Sequence, residues 1–202
     1  LPDTDMISQR MGITLALALM ALVLALAIGL PLGIVAAKHA GSWQDRLITT
    51  ASIAGLSAPS YAIGLLLLYV LSARLKIFPI YGQGDGSPLD TLRHLILPAV
   101  TLAIGIIASV VKISRASLIE EIDSDYTLFA RSRGVSPLPV TLGQLQNAAL
   151  PVLTSSGLLI ASLISGTVIV ETMFSLGGIG TLLQQSVTFG DIPCVQAITL
   201  IL

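Results

Sequence analysis

The chain has 202 residues, of which 54% are hydrophobic and only 10% are charged, and its formal net charge is −1. A mean hydropathy of +0.92 is far above that of a soluble domain, and the near-neutral charge argues against a nucleic-acid partner. The single cysteine, Cys194, allows neither an internal disulfide nor a cysteine metal cluster. Because it opens an apolar run, we expect Cys194 to have a packing role.

Long uncharged stretches dominate the chain, and each is long enough to cross a bilayer as a helix, which takes about 20 apolar residues. We predict an all-α, polytopic transmembrane bundle that forms a single domain over 1–202. The chain begins at Leu1 rather than Met and stops inside an apolar run, so we expect a fragment of a longer protein. The predicted spans lie near 13–37, 48–72, 94–116 and 150–171, with an incomplete fifth over 193–202.

Alternation of the spans places the loops 38–46 and 112–147 on one side of the membrane. That side holds six Lys or Arg residues, against four on the other side. The positive-inside rule therefore places segment 112–147 in the cytoplasm. Loop 172–192, which has no Lys or Arg, is expected on the outer side.

One short polar segment, "EEIDSDYTLFARSRGVSP" (120–137), interrupts the apolar chain. We predict one helix over 120–133, with acids in its first turns and arginines in its last, complementing the helix dipole. Gly134 fits the left-handed position that ends helices, and Ser136 with Pro137 fits the start of a second short helix. The residues alone leave two interpretations open, an amphipathic surface loop or a docking surface at which small side chains let a partner approach.

The same segment carries a family resemblance. "DYTLFARSRGVSP" followed by "NAALPVLT" resembles the cytoplasmic coupling motif of ABC importer permeases, and it is most similar to the dipeptide, oligopeptide and nickel permeases. Similar motifs occur in the family's order along nearly the whole chain. They are "GLPLGIVAAKHAGSWQDR" (29–46), "HLILPAVTL" (94–102), "SRASLIEE" (114–121), "ETMFSLGGIGTLL" (171–183) and "GDIPCVQ" (190–196).

The resemblance implies a type I ABC importer permease fold with short cytoplasmic coupling helices, multi-pass in a prokaryotic inner (plasma) membrane. It implies four kinds of partner: a homologous second permease, two ATP-binding subunits, an extracytoplasmic substrate-binding protein, and membrane lipid. The chain itself is expected to be no enzyme and to hold no cofactor or metal. ATP and Mg would be bound by the ATPase subunits, since the chain has no G-x-x-x-x-G-K-[ST] loop.

Two groups of site residues follow from the resemblance. The first is an ATPase-coupling interface of Asp125, Tyr126, Phe129, Ala130, Arg131, Arg133, Gly134, Val135 and Ser136. The second is an external loop near the binding protein, with Glu171, Phe174, Gly177, Gly178, Gly180 and Asp191.

The chain departs from the family pattern directly after the glycine. Residues 135–146 lack the basic residues that the family usually has there, and Gly143, Gln144, Leu145 and Gln146 replace its usual His-Ala-Leu-Arg. Leu176 stands where the family has tryptophan. These differences leave charge-based docking by the second short helix unsupported.

The cargo favoured by the sequence is a dipeptide or oligopeptide, and the alternative is nickel or a metal chelate handled by the same family. A secondary transporter is disfavoured because no span has an ionisable residue in its middle. Pro31, Pro59 and Pro98 are expected to mark kinks rather than broken helices. A purely structural role is the third alternative, since small residues such as Gly29, Gly33 and Ala37 also serve helix packing.

Overall fold

The computed structural model describes residues 2–82, 84 and 87–201. Leu1 and Leu202, on which the expectation of a fragment rests, lie outside these residues. All regular structure in the described part is helical, which confirms the predicted all-α class. In chain order the helices are α1 (Pro2–Lys38), α2 (Trp43–Ser57), α3 (Ser60–Leu67, continued by a π-helical turn over Leu68–Arg74), α4 (Pro88–Ile122), α5 (Asp125–Ser132), α6 (Pro137–Met173), α7 (Ile179–Phe189) and α8 (Ile192–Ile201).

Three of these helices contain segments long and apolar enough to cross a membrane. They are Arg10–Lys38 in α1, Leu89–Ile122 in α4 and Pro137–Met173 in α6, and the interrupted pair formed by α2 and α3 gives a fourth if it is counted as one span. The spans predicted near 13–37, 94–116 and 150–171 therefore fall within continuous helices that extend beyond them.

The span predicted near 48–72 is broken, and the expectation of a mere kink at Pro59 is wrong. α2 ends at Ser57, and Pro59 has an extended backbone, with φ −60° and ψ 132°. A proline lacks the N–H that would continue the helix, and it pushes the residue before it out of the helical region. By contrast, α1 and α4 continue through Pro31 and Pro98 as expected.

The chain divides into two compact units, and the long helices contribute to both. The first unit contains the stretch that ends at Leu24, then Ala58–Gly105, and the stretch from Ile160 onward. One of its apolar clusters is formed by Ile179, Leu182 and Ile198, with Met11, Leu183 and Cys194 packed against it. Cys194 therefore packs against an apolar cluster, as the sequence predicted.

The second unit consists of Ala25–Ser57 and Ile106–Leu159. In it α1 packs closely on α4, because a Cβ built on Gly29 would lie 2.8 Å from the Cβ of Val110, and one on Gly33 would clash with Ser114. These glycines serve helix packing, as small residues do in membrane helix pairs. The same unit contains an apolar cluster of Ala37, Leu118 and Ala148, with Ile34, Ile119, Ile122 and Leu145 packed against it.

Candidate functional site

The polar segment of the second unit contains two helices where one was predicted. α4 ends at Ile122, and Ser124 adopts an extended backbone before α5 begins. The side chain of Ser124 accepts a hydrogen bond from the backbone N–H of Thr127 at 3.3 Å. Serine interrupts helices in this way because its hydroxyl competes with the backbone for hydrogen bonds. The prediction of a single helix over 120–133 is therefore wrong.

The break also changes which charged residues complement a helix dipole. Glu120 and Glu121 lie in the last turn of α4, where an acidic side chain does not complement the dipole. Only Asp125 in the first turn of α5 and Arg131 in its last turn have the predicted arrangement. Glu121 is engaged elsewhere, since its Oε2 accepts a hydrogen bond from Asn147 Nδ2 at 3.0 Å.

A buried polar chain fastens α5 to its neighbouring helices. Thr127 Oγ1 donates to the backbone carbonyl of Glu121 at 2.7 Å, and it accepts from Gln144 Nε2 at 3.0 Å. Thr127 is 1% exposed and Gln144 is 4% exposed. Hydrogen bonds shielded from water are costly to break, because each lost partner leaves a buried polar group unsatisfied. The short helix is therefore held against both α4 and α6.

Gly134 turns the chain between α5 and α6 and has a left-handed backbone, with φ +75°, as predicted. Its N–H donates to the carbonyl of Arg131 at 3.0 Å, and the N–H of Val135 donates to that of Ala130 at 3.2 Å. A Cβ at Gly134 would meet no atom within 4 Å. The glycine is thus required by the backbone conformation, and the space in front of it is open.

The second short helix predicted after this corner is instead the start of α6, which begins at Pro137 and runs unbroken to Met173. We call the corner formed by Asp125–Ser136 the docking corner. Its predicted interface residues are all exposed except Ala130, which is half-buried. A cavity of about 310 Å³ opens beside the docking corner and is lined by Arg131, Val135, Pro137, Val140 and Thr141.

Exposed apolar and basic groups alternate on the docking corner. Tyr126, Phe129 and Val135 are exposed, and the guanidinium of Arg133 lies 5.3 Å from the centre of the Phe129 ring. Aromatic residues and arginine are enriched in protein interfaces. The corner therefore has the composition of a protein-binding surface on a rigid support.

Two residues that make this support were noticed in the sequence only as departures from the family pattern. Gln144 supplies the buried hydrogen bond to α5. Gly143 makes room for Tyr126, because a Cβ there would lie 2.9 Å from the tyrosine Oη. The signal that sequence reasoning could have used was a glutamine, Gln144, three residues before Asn147 on the same face of an otherwise largely apolar helix.

The second predicted group of residues surrounds a buried carboxylate in the first unit. Glu171 is 0% exposed. Its Oε1 accepts from Thr14 Oγ1 at 2.6 Å, and its Oε2 accepts from the N–H of Gly180 at 2.7 Å and of Thr181 at 3.3 Å. α7 begins after Gly178, which offers no side chain to cap it. Glu171 thus caps α7 from a distant position, and its charge suits the positive end of that helix.

Glycines beside Glu171 allow this close approach. A Cβ on Gly178 would lie 2.5 Å from the carboxyl carbon of Glu171, and one on Gly180 would lie 2.5 Å from the Cα of Val168. Phe174 is buried as well, and its carbonyl accepts from the N–H of Gly82 at 3.2 Å.

The structure brings together the predicted external-loop residues around the start of α7, with Asp191 lying separately. Glu171, Phe174, Gly178 and Gly180 are buried, while Gly177 is half-buried. Asp191 is exposed at the start of α8, where its Oδ1 accepts from the N–H of Cys194 at 3.2 Å. Much of the segment first described as a loop is in fact α7.

The chain is similar in sequence to known membrane transport proteins. The family model described as "Binding-protein-dependent transport system inner membrane component" matches residues 29–202. The chain is 37% identical over 197 residues to the glutathione transport system permease protein GsiC of Escherichia coli K12, covering 97% of the chain and 62% of the relative. It is also 37% identical over 204 residues to a putative peptide transport system permease protein of Brucella abortus, covering 100% of the chain and 65% of the relative.

The fold is also that of a solved transporter. The structure resembles a chain of the MetNI methionine ABC transporter in an inward-facing conformation, with a TM-score of 0.73 at 15% identity, over 99% of this chain and 93% of that one. At this identity the likeness concerns the fold alone. The chain spans less than two thirds of the length of the curated relatives it matches. With most of its length matched by the family model, the chain belongs to the family of binding-protein-dependent transport system inner membrane components.

Proposed function

We propose that the chain is the membrane-spanning permease subunit of an ATP-driven, binding-protein-dependent importer, in which it forms half of the translocation pathway. The observation that carries this proposal is the docking corner, which is exposed and yet fastened from behind by the buried Thr127–Gln144 hydrogen bond. An exposed segment that is fixed to two long helices by a buried hydrogen bond can transmit a displacement caused by a partner, whereas a loosely attached surface loop would absorb it.

The coupling step follows from the connections of α5. When the ATP-binding subunits close, they push on the docking corner at the cytoplasmic face. Thr127 transmits this push to α4 through Glu121 and to α6 through Gln144. α4 has 35 residues, or about 52 Å at 1.5 Å per residue, which exceeds the roughly 30 Å of a bilayer core. A continuous helix of this length can carry the movement across the membrane.

The proposed transporter requires further subunits. Two ATP-binding subunits with their Mg and ATP would supply the energy, and a homologous second permease would supply the other half of the pathway. The description of the family as binding-protein-dependent supports an extracytoplasmic binding protein that delivers cargo. Alternation of the predicted spans puts segment 172–192, which contains α7 and Asp191, on the outer side, where that protein would dock.

Peptides are the proposed cargo. The relatives at 37% identity are named for glutathione, a small peptide, and for peptides. The binding protein is expected to perform most of the selection, so the permease needs a path wide enough for a short peptide rather than a site for one side chain.

Reconstitution tests this function. The full-length permease, its second permease, the ATPase subunits and the binding protein are placed in proteoliposomes, and uptake of labelled di- and tripeptides is measured with and without ATP. ATP-dependent peptide uptake that requires the binding protein is the expected result. Uptake of nickel chelates but not of peptides would contradict the proposed cargo, and peptide uptake driven by a proton gradient without ATP would contradict the mechanism.

A further inference from the structure

A cavity of about 310 Å³ lies between α2 and α4 within the second unit. Its volume is at the lower end of the range of small-molecule sites, about 300–1,000 Å³. It is separate from the docking corner and has no part in the coupling contacts described above. α2 contributes Thr49, Ser52 and Leu56 to the lining, and α4 contributes Val111, Lys112 and Arg115.

The cavity has one polar end and one apolar end. At the polar end Arg115 grips Asp45 with two hydrogen bonds, Nε to Oδ1 at 2.6 Å and Nη2 to Oδ2 at 2.7 Å. Thr49 Oγ1 donates to the same carboxylate at 3.3 Å. The lining then continues to Leu56 along α2 and back to Ala108 along α4, where only apolar side chains contribute.

Lys112 is the unpaired cation of this cavity. Arg115 is neutralised by Asp45, whereas Lys112 is exposed and forms no ion pair with any residue that the structure describes. The hydroxyls are already used, since Thr49 bonds to Asp45 and Ser52 Oγ donates to the carbonyl of Ile48 at 2.8 Å. The cavity therefore offers a ligand one positive charge and an apolar wall.

This chemistry selects among the possible occupants. A peptide would bring backbone N–H and C=O groups that are costly to bury without hydrogen-bond partners. An acyl chain that carries an anionic headgroup needs only the charge and the apolar wall. The stretch from Thr49 to Leu56 rises about 10 Å, which fits within one leaflet of a bilayer core of roughly 30 Å.

We propose that this cavity binds an anionic phospholipid of the cytoplasmic leaflet, with its headgroup at Lys112 and an acyl chain along Ile53 and Leu56. The assignment to this leaflet rests on the proposed function, which puts the docking corner and hence the C-terminal end of α4 in the cytoplasm. Basic pockets between membrane helices on that side are suited to anionic headgroups.

Native mass spectrometry of the full-length permease in its complex with the ATPase subunits tests the proposal. The complex is offered phosphatidylglycerol or phosphatidylcholine, and retained lipid is counted per permease. Lys112→Gln should lower retained phosphatidylglycerol about five-fold, the factor equivalent to about 1 kcal/mol for one basic residue near an anionic surface. Lys38→Gln, which changes an exposed lysine outside the lining, should leave it unchanged.

A second pair of variants tests the apolar part of the site. Ser52→Leu fills the middle of the cavity and should lower retention of phosphatidylglycerol, whereas Ala54→Leu on the same helix lies outside the lining and should not. Equal retention by Lys112→Gln and Lys38→Gln would overturn the proposal, because Lys112 would then only reach bulk headgroups. Displacement of the bound lipid by a short peptide with a free carboxylate would also overturn it, since the cavity would then belong to the cargo path.

The two proposals fail in different ways. A wrong import function would show as wild-type protein that neither retains ATPase subunits nor takes up peptides. A wrong lipid site would show as retained phosphatidylglycerol that is indifferent to Lys112→Gln, whatever the outcome of the uptake assay.

Discussion

Gln144 donates a 3.0 Å hydrogen bond from Nε2 to Oγ1 of Thr127, and this contact joins α6 to the short helix α5. Both side chains are almost completely buried. Between these two residues the chain leaves α5, turns at Gly134 and enters α6. One buried side-chain hydrogen bond therefore links the two helices on either side of the exposed turn.

Loss of that contact should loosen the docking corner without removing any exposed group. Gln144→Ala removes the side-chain amide that donates to the Thr127 hydroxyl and opens a small gap, at a cost of about 1–3 kcal/mol. We expect impaired ATP-driven uptake per folded permease and faster amide hydrogen exchange in α5. Gln146→Ala, an exposed neighbour on the same helix, is the matched control. Equal exchange rates in both variants would show that the contact does not fasten α5.

Arg131→Ala should weaken binding of the ATPase subunits while α5 stays in place. Arg131 is exposed, and it lines the cavity beside the docking corner. The substitution removes a directional group and imposes no new backbone shape, so its effect should be milder than that of a change at Gly134. Copurification of ATPase subunits at increasing salt measures it. A variant as salt-resistant as the wild type would exclude Arg131 from the interface.

Glu171→Ala should destabilise the permease rather than change its cargo. It removes the acceptor of three hydrogen bonds, from Thr14, Gly180 and Thr181, and hydrogen bonds to charged groups contribute about 1.5–3 kcal/mol. Thermal unfolding of the purified complex should show a lower midpoint, whereas Glu120→Ala at an exposed acid should leave it unchanged. An unchanged midpoint in Glu171→Ala would exclude a capping role.

Cysteine labelling tests the orientation in the membrane. In a Cys194→Ala background, Ser175→Cys should react with an impermeant thiol reagent applied to intact cells, because the positive-inside rule puts this exposed residue outside. Ser136→Cys on the docking corner should react only after permeabilisation. The reverse pattern would invert the topology.

Much of the helical framework could be predicted from uncharged runs of sufficient length, since backbone groups in lipid must bond within a helix. The positions at which helices end were harder to predict from the sequence. The break at Ser124 depends on a local hydrogen bond of one side chain. Proline breaks the span at Pro59 but lies within continuous helices at Pro31 and Pro98, so the residue type alone does not predict a break.

The docking corner was predictable because a glycine that ends a helix and the charges beside it are signals within a short stretch of sequence. The Thr127–Gln144 hydrogen bond that supports it was not predictable, since the two residues are 17 positions apart and meet only when α6 packs beside α5. The role of Glu171 depends on the same kind of distant contact, with Thr14, 157 residues away. Motif resemblance located Glu171 but could not tell a buried cap from a surface group.

The most direct test of coupling compares two glycines with the same backbone strain. Gly134 and Gly190 have φ of +75° and +72°, and a Cβ on either meets nothing within 4 Å. Valine at either position should therefore cost a similar amount, roughly 1–2 kcal/mol. We measure peptide uptake per folded permease and copurification of ATPase subunits for Gly134→Val and Gly190→Val. Uptake and ATPase binding lost in Gly134→Val and retained in Gly190→Val is the expected result, and normal uptake with full ATPase binding in Gly134→Val would contradict the coupling role of the docking corner.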